Sequence, residues 1–373
     1  MIALEGPRAL HPTEIEPLRH LTDSVFREGM MNQYPQLFNA DNYENLRVCV
    51  DNGIVASHVG MKIQEASFFG NRIKTACIGG VSTLPEYRKL GLASLCFDDA
   101  RRKAREEGVD IMIVSGDRHL YRSRGCLPVG RDLTFQWSAS ATSAATDITL
   151  APLQNEELSL LTECYRAEPV RYQRQPSDYN YALQSHWAMN HPIEFLTIRQ
   201  KGAFRAYALV SLRRKNEGTN LVEYGGDRHA LLQALPQIQQ RHNLTTLSLQ
   251  VARHDTLLKS LLEQSGLSGT PCTTSGTVTL INFPQIMDRL RPLFAEKLGI
   301  PTAQTLRFWE EEEQFGFALA NEKLILDRDT TTRLLFGTLE RTAEEIAPES
   351  GALGEVLQTI LPLPTLWYGI NYV

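Results

Sequence analysis

From Leu46 onwards, apolar and polar residues follow the pattern of β-strands. The segments NLRVCVD and IVASHVGMKIQEASFF flank the turn residues Asp51, Asn52 and Gly53, which predicts a hairpin. RIKTACIGGVST is a further β-rich run, and it ends just before the polar stretch PEYRKLG. We therefore expect a sheet whose last hairpin strand leads into a charged, glycine-containing turn.

A helix is predicted directly after that turn, between Gly91 and Glu107, and Gly108 ends its pattern. The face that carries its small and apolar residues consists of Leu92, Leu95, Cys96, Ala100 and Ala104. VDIMIV follows as a short, continuous apolar run, which is typical of a strand buried on both faces. The order hairpin, strand, helix, strand predicts a mixed α/β sheet.

The same order partly recurs after a Ser/Ala/Thr-rich linker, Ser138 to Asp147, which marks a domain boundary. The second copy differs at its helix entrance, because DRHALLQA follows VEYGG with no glycine in the helix start. The last part of the chain combines an amphipathic helix, FPQIMDRLRPLFAEKLG, with a segment that alternates like antiparallel strands, TLRFW to LFGTLE. We place three α/β (α+β) domains at residues 1–140, 147–276 and 277–373.

Composition and charge limit the classes of partner and compartment that we expect. The chain has 373 residues and a formal net charge of -5, which disfavours nucleic acid as a partner and favours amine-bearing partners. The start of the chain does not resemble a signal peptide, and no run approaches the roughly 18 apolar residues of a membrane span. The histidines lack metal-ligand spacing. We expect a cytoplasmic protein with no metal and no membrane partner. The cysteines are scattered, as in a reducing compartment, at Cys49, Cys77, Cys96, Cys126, Cys164 and Cys272.

The turn after the hairpin has the chemistry of a phosphate site. Arg88 and Lys89 supply positive charge, Gly91 lets a ligand approach the backbone, and Ala93 keeps that approach open. The helix that follows adds free N–H groups and the positive end of its dipole. Taken alone, the pattern Arg88-x-x-Gly91-x-Ala93 also fits a plain strand-to-helix turn with solvated cations.

The surrounding segments decide between these readings. CIGGVSTLP, EYRKLGLA, the helix, VDIMIVS and LYRSRGCLPVG together resemble the GNAT superfamily of acetyl-CoA-dependent N-acetyltransferases. Arg88, Gly91 and Ala93 match its pyrophosphate signature, and Tyr121 and Gly125 match its later Tyr-x-x-x-Gly signature, where Cys126 replaces the usual aromatic residue. A degenerate second copy and a C-terminal domain similar to sterol-carrier proteins extend the resemblance to the Eis-like (enhanced intracellular survival) group.

The resemblance implies a site. Its pantetheine strand would be Gly80, Val81 and Ser82, and Tyr121 would protonate the leaving thiolate. The terminal carboxylate of Val373 would act on the amine, either as a base through water or by holding it through charge. Asp117 and His119 are the alternatives for the base. The pyrophosphate would lie on the turn formed by Arg88, Lys89, Leu90, Gly91, Leu92 and Ala93.

The predicted activity is acetyl transfer from acetyl-CoA to a primary amine, of a small polyamine, an aminoglycoside-like compound or a lysine. A non-catalytic acyl-CoA- or lipid-binding sensor or carrier is the alternative. The resemblance also implies a homo-oligomer, with a hexamer among the candidate assemblies.

Overall fold

The computed structural model describes residues 4–138, 147–212, 221–340 and 351–373. These residues form two mixed α/β sheets and a small antiparallel third sheet, which confirms the predicted fold class. The elements of the N-terminal part, in chain order, are β1 (Leu4–Ala9), α1 (Ile15–Val25), α2 (Met30–Gln33), β2 (Leu46–Asp51), β3 (Ile54–Phe68), β4 (Asn71–Thr83), α3 (Leu92–Glu106), β5 (Ile111–Val114), α4 (His119–Arg122) and β6 (Asp132–Trp137).

The remaining elements follow the linker, most of which lies outside the described residues. Those of the central part are β7 (Ile148–Pro152), α5 (Leu158–Ala167), β8 (Val170–Tyr172), α6 (Pro176–Ser185), β9 (Trp187–Ala188), β10 (His191–Gln200), β11 (Ala203–Ser211), β12 (Leu221–Gly226), α7 (Arg228–Arg241), β13 (Leu247–Val251), α8 (Thr256–Gln264) and β14 (Thr270–Cys272). Those of the C-terminal part are β15 (Thr277–Leu280), α9 (Phe283–Arg289), α10 (Arg291–Leu298), α11 (Ile300–Thr305), β16 (Arg307–Glu311), β17 (Gln314–Leu319), β18 (Glu322–Asp327), α12 (Arg328–Phe336) and α13 (Ala352–Ile360).

The first sheet has the order β1-β2-β3-β4-β5-β15, and β8 adds to β3. The predicted hairpin of β2 and β3 is confirmed, as are β4, α3 and the buried strand β5. β4 and β5 are parallel neighbours. A right-handed crossover through α3 is the connection expected for such a pair, and it brings the start of α3 to the end of β4.

The second sheet has the order β14-β6-β13-β12-β11-β10-β7, with β12 parallel to β13. The two sheets exchange strands: β6, from before the linker, joins the second sheet, and β15 completes the first. The predicted domain boundaries stay predictions, and the exchanged strands tie the two sheets together across them.

The C-terminal part departs from the sequence pattern twice. The predicted amphipathic helix is divided into α9 and α10, with Leu290 between them. The prediction of strands as far as LFGTLE is wrong beyond β18, because Arg328–Phe336 is the helix α12. Asp327 caps that helix by accepting a hydrogen bond from the backbone N–H of Thr330, and this cap ends the strand.

The end of the chain is buried. Tyr368, Tyr372 and Val373 belong to the hydrophobic core that also includes residues of the first sheet and of the C-terminal part. Val373 itself is 2% exposed. Within the described residues, no helix is long and apolar enough to cross a membrane, and no cluster of His, Cys, Asp and Glu is arranged to hold a metal ion.

Candidate active site

A gap opens in the first sheet where β4 and β5 separate. The two strands pair from Thr75 to Ile78 on β4, after which β4 continues alone to Thr83. The register between β3 and β4 shifts at this point, and Gly80 adopts a left-handed backbone with φ of 62°. The backbone of Gly80, Val81 and Ser82 therefore has no β5 partner at the place where a cofactor arm could add as a strand.

A buried histidine fixes this bulge. The Nδ1 atom of His58 lies 2.9 Å from the carbonyl oxygen of Gly80, and its ring packs against Phe38. Because a carbonyl only accepts, Nδ1 carries the hydrogen and Nε2 keeps a lone pair. Burial lowers the pKa of His58 to about 4, so the ring is neutral at physiological pH. The sequence analysis missed His58, since an isolated histidine in a strand carries no signal.

The turn before α3 is open to an anion. Gly91 is the N-cap residue with φ of 77°, no side chain caps the helix, and a Cβ placed on Gly91 would meet no atom within 4 Å. Lys89 also has a left-handed backbone, while the exposed Arg88 contacts the carbonyl oxygen of Thr83 through Nε. The N–H groups of this 15-residue helix thus remain available to a phosphate.

Tyr121 lies at the far side of the gap, on the short helix α4 that follows β5. Its ring packs 5.6 Å from that of Phe97, on α3, and a Cβ placed on Gly116 would come within 3.0 Å of it. Burial raises the pKa of Tyr121 to about 12. This raised pKa keeps the hydroxyl protonated at physiological pH. Because the hydroxyl bonds to no group in the described part of the chain, it can donate to a ligand.

The carboxyl terminus reaches the gap from the opposite end of the sequence. A Cβ placed on Gly79 would lie 2.0 Å from the carboxyl carbon of Val373, so only glycine leaves room for the terminus there. The neighbouring Tyr372 hydroxyl lies 3.4 Å from the carbonyl oxygen of Ser115, just beyond β5. The terminal carboxylate therefore sits against β4, one residue before the bulge at Gly80.

Polar side chains hold the terminus in place. Gln36 donates to the backbone carbonyl of Tyr372 at 2.8 Å. Asn371 donates to Gln64 at 2.9 Å and accepts from Nε of Arg174 at 2.8 Å. These anchors come from three distant parts of the chain, and no local sequence pattern marks them.

The alternative bases lie elsewhere. Asp117 is exposed and forms a two-pronged salt bridge with Arg122, with both contacts at 2.5 Å, which lowers the pKa of its carboxyl. His119 is exposed at the first position of α4. Of these three candidates for the base, Val373 is the one whose carboxyl group lies against β4 at Gly79.

Residues 7–129 match the model of the acetyltransferase (GNAT) domain family. No curated protein sequence matches the chain. Among solved structures, the chain resembles a GCN5-related N-acetyltransferase from Anabaena variabilis (14% identity, 97% of this chain and 98% of that one, TM-score 0.67). It also resembles a probable N-acyltransferase from Enterococcus faecalis, with 15% identity over 100% of both chains and a TM-score of 0.66. A third similar structure is Eis1 from Mycobacterium abscessus, with 10% identity over 98% of this chain and 99% of that one and a TM-score of 0.64. At these identities the likeness shows a shared fold.

The open turn predicts a sharp effect of Gly91→Glu. The new carboxylate would occupy the anion position, so acetyl-CoA binding is expected to fall by at least about 100-fold, the scale of a lost charge-assisted contact plus repulsion. Calorimetric titration measures this. Gly70→Glu is the control, because Gly70 has a similar φ of 84° and equally open surroundings. Equal acetyl-CoA affinity in the folded Gly91 and Gly70 variants would remove the cofactor assignment.

The buried His58 predicts a pH-dependent stability. The unfolded chain takes up a proton below the ordinary pKa of 6.5, whereas the folded protein does so only near 4. The free energy of unfolding therefore falls as the pH falls through this window. Between pH 7 and pH 5 the linked loss is about 2 kcal/mol. In His58→Gln, urea denaturation at pH 7 and pH 5 should show no such loss in the free energy of unfolding. An unchanged pH dependence in this variant would contradict the neutral, buried imidazole.

Proposed function

We propose that this protein transfers an acetyl group from acetyl-CoA directly to a primary amine, because residues 7–129 match the model of the acetyltransferase (GNAT) domain family. The observation that carries the proposal is the meeting of three groups at one gap. These are the strand edge at Gly80 that β5 leaves unpaired, the hydroxyl of Tyr121, and the buried terminus at Val373, which lies against Gly79.

The cofactor would bind along β4. Gly80, Val81 and Ser82 offer backbone groups to the pantetheine arm, and the turn from Arg88 to Ala93 holds the pyrophosphate with N–H groups and positive charge. His58 fixes the direction of the Gly80 carbonyl, which keeps the strand edge in a shape that the arm can pair with. This arrangement leaves the thioester at the end of the gap, between β4 and Tyr121.

The reaction would be a direct transfer. The amine nitrogen attacks the thioester carbonyl carbon, a C–N bond forms, and the C–S bond breaks. The Val373 carboxylate holds the substrate ammonium by charge, and the ammonium first loses one proton to solvent to become the neutral amine that attacks. After the attack the carboxylate takes the second proton from the nitrogen, directly or through water. Tyr121 donates its hydroxyl proton to the departing sulfur and regains one from solvent. A carboxylate has a low pKa, but the attacking nitrogen becomes a much stronger acid once it carries the new bond.

The acceptor amine would enter through an acidic cavity next to the terminus. A cavity of about 350 Å³ is lined by Gln36 and Gln64, the same side chains that hold Tyr372 and Asn371. Its charged lining residues are Asp41, Lys62, Glu65 and Asp178. Lys62 is paired with Asp178, and Glu65 is paired with the exposed Arg72, which leaves the carboxylate of Asp41 in excess. A second cavity of about 470 Å³, beside Ser115, has Asp117 as its charged lining residue, and Arg122 neutralises it. The acidic cavity therefore suits a cationic amine better.

The wider organisation is proposed to be that of the Eis-like group. Residues 1–140 would be the catalytic domain, residues 147–276 a degenerate copy, and residues 277–373 a domain similar to sterol-carrier proteins. The buried terminus supports this arrangement, because the third domain then contributes Val373 to the first domain's site. A homo-oligomer is the expected assembly, and light scattering measures it.

The terminal carboxylate predicts that chain extension inactivates the enzyme. A short C-terminal tag would replace the charge with a neutral amide and push the chain end away from Gly79. Turnover should fall by about 10²–10⁴-fold, the range for a lost acid-base group, while acetyl-CoA affinity stays the same. Tyr121→Phe should lower turnover by a similar factor. In a protein that carries both changes, the two reductions in turnover should not multiply. An N-terminally tagged protein is the control. Full activity of the C-terminally tagged enzyme would refute the role of Val373.

The acidic cavity predicts a preference for polycations. Asp41→Asn and Glu65→Gln should each raise the KM for a polyamine by about two- to fivefold, since both carboxylates are exposed and screened by solvent. The kcat and the KM for acetyl-CoA should stay unchanged. Glu28→Gln is the matched control, because Glu28 is exposed on the same domain but does not line the cavity. A polyamine KM that is equal in all three variants would place the acceptor elsewhere.

A further inference from the structure

The two sheets separate in a similar way. In the first sheet, β4 and β5 pair as far as Ile78 and Val114 and then diverge. In the second sheet, β12 and β13 are also parallel neighbours, and their pairing consists of Leu221 with Leu249. β4 and β12 each lead into a helix, α3 and α7 respectively. The second domain, meaning the unit built on the second sheet, therefore contains its own gap between two parallel strands.

The residues just beyond the last strand pair are equivalent in the two domains. In the first domain they are Gly79 and Gly80, which face the gap that the cofactor arm would fill. In the second domain they are Val222 and Glu223. A different group lies against the strand in the second domain.

That group is the end of the chain itself, residues 367–373, which we name the terminal segment. Nε1 of Trp367 donates to the backbone carbonyl of Val222 at 2.5 Å. The backbone N–H of Ile370 donates to Glu223 at 3.2 Å, and a Cβ placed on Gly369 would lie 1.8 Å from the same carboxylate oxygen. The terminal segment thus lies along β12 as the cofactor arm would lie along β4.

The helix entrance of the second domain is closed to phosphate. The carboxylate of Asp227 accepts hydrogen bonds from the backbone N–H groups of His229 at 2.8 Å and Ala230 at 3.0 Å. It takes the place that an anion would have at the start of α3. The cation at this entrance, Arg228, forms salt bridges with the carboxylates of Glu168 and Asp255. The second domain thus keeps the gap, while the entrance of α7 is occupied by its own carboxylate.

We infer that the second domain is a socket for the terminal segment, in which Arg174 and Glu223 are positioning residues that set the carboxylate of Val373 beside Gly79. Arg174 and Glu223 form a two-pronged pair at 2.6 and 2.7 Å, with side chains 1% and 6% exposed. Arg174 also reaches Asn371, two residues from the terminus. The catalytic consequence rests on the proposed role of Val373, whereas the socket itself does not.

The most local test is Gly369→Ala. The added methyl group collides with the buried carboxylate of Glu223, so it should lift the terminal segment from the socket without altering either sheet. Gly202→Ala is the matched control, because Gly202 is a hairpin glycine of the second domain with φ of 81° and no atom near its Cβ position. Hydrogen exchange of peptide 364–373 reports on the socket, while turnover and acetyl-CoA affinity report on the site.

We expect exchange in peptide 364–373 to be at least about tenfold faster in Gly369→Ala than in Gly202→Ala. The kcat should fall by about 100-fold, the cost of a displacement near 1 Å, with the acetyl-CoA dissociation constant unchanged. Unchanged exchange would overturn the socket. Faster exchange with full turnover would support the socket and contradict the proposed role of Val373, so the two failures are distinguishable.

A second variant tests the positioning pair from the other side. Glu223→Gln keeps the shape of the side chain but leaves Arg174 without its counter-charge. Glu168→Gln removes one of the two carboxylates that pair with the half-buried Arg228, a residue that makes no bond to the terminal segment among the described residues. Only Glu223→Gln should accelerate exchange in peptide 364–373 and lower kcat at constant acetyl-CoA affinity. If both variants change exchange and kcat equally, the pair acts on the stability of the domain and the positioning role is wrong.

Discussion

The proposed site depends on the buried end of the chain, where Val373 lies against Gly79. An ionised carboxylate loses much of its hydration when it is buried, and this cost must be offset by hydrogen bonds and nearby charges. Val373 is 2% exposed, and the two residues before it are fixed by side-chain contacts to three other parts of the chain, at Gln36, Gln64 and Arg174. A carboxylate held in this way would gain most when an ammonium group arrives beside it. The free-energy cost of burying the Val373 carboxylate would thus favour the binding of a cationic substrate.

The two mixed sheets share one layout and differ in what occupies it. Both contain parallel strands that separate in front of a helix. The first half leaves its gap and helix end open, with Gly91 at the helix start and no capping side chain. The second half fills its helix end with Asp227 and its gap with the terminal segment. The active site would then be assembled from the cofactor cradle of one half and the carboxylate presented by the other.

Local patterns in the sequence were enough for the fold class and for the elements of the first sheet around the predicted site. The alternation around Asp51–Gly53 gave the hairpin, and the spacing from Leu92 gave α3, because each depends on neighbours within a few residues. The anchors could not be found in this way. Gln36 and Tyr372 are 336 residues apart, and Arg174 and Glu223 are 49 residues apart. A buried polar pair leaves no periodic trace, since its partner is fixed only by the folded chain. The family resemblance pointed to Val373, and its catalytic role stays a prediction.

A crystal structure with bound acetyl-CoA would test the central claim most directly. We predict that the thioester lies between the backbone of Gly80 and the hydroxyl of Tyr121, with the Val373 carboxylate still against Gly79 and facing the thioester carbon across space for one amine. A bound cofactor that displaces the terminus from Gly79, or a thioester that faces Asp117 or His119 instead, would contradict the account.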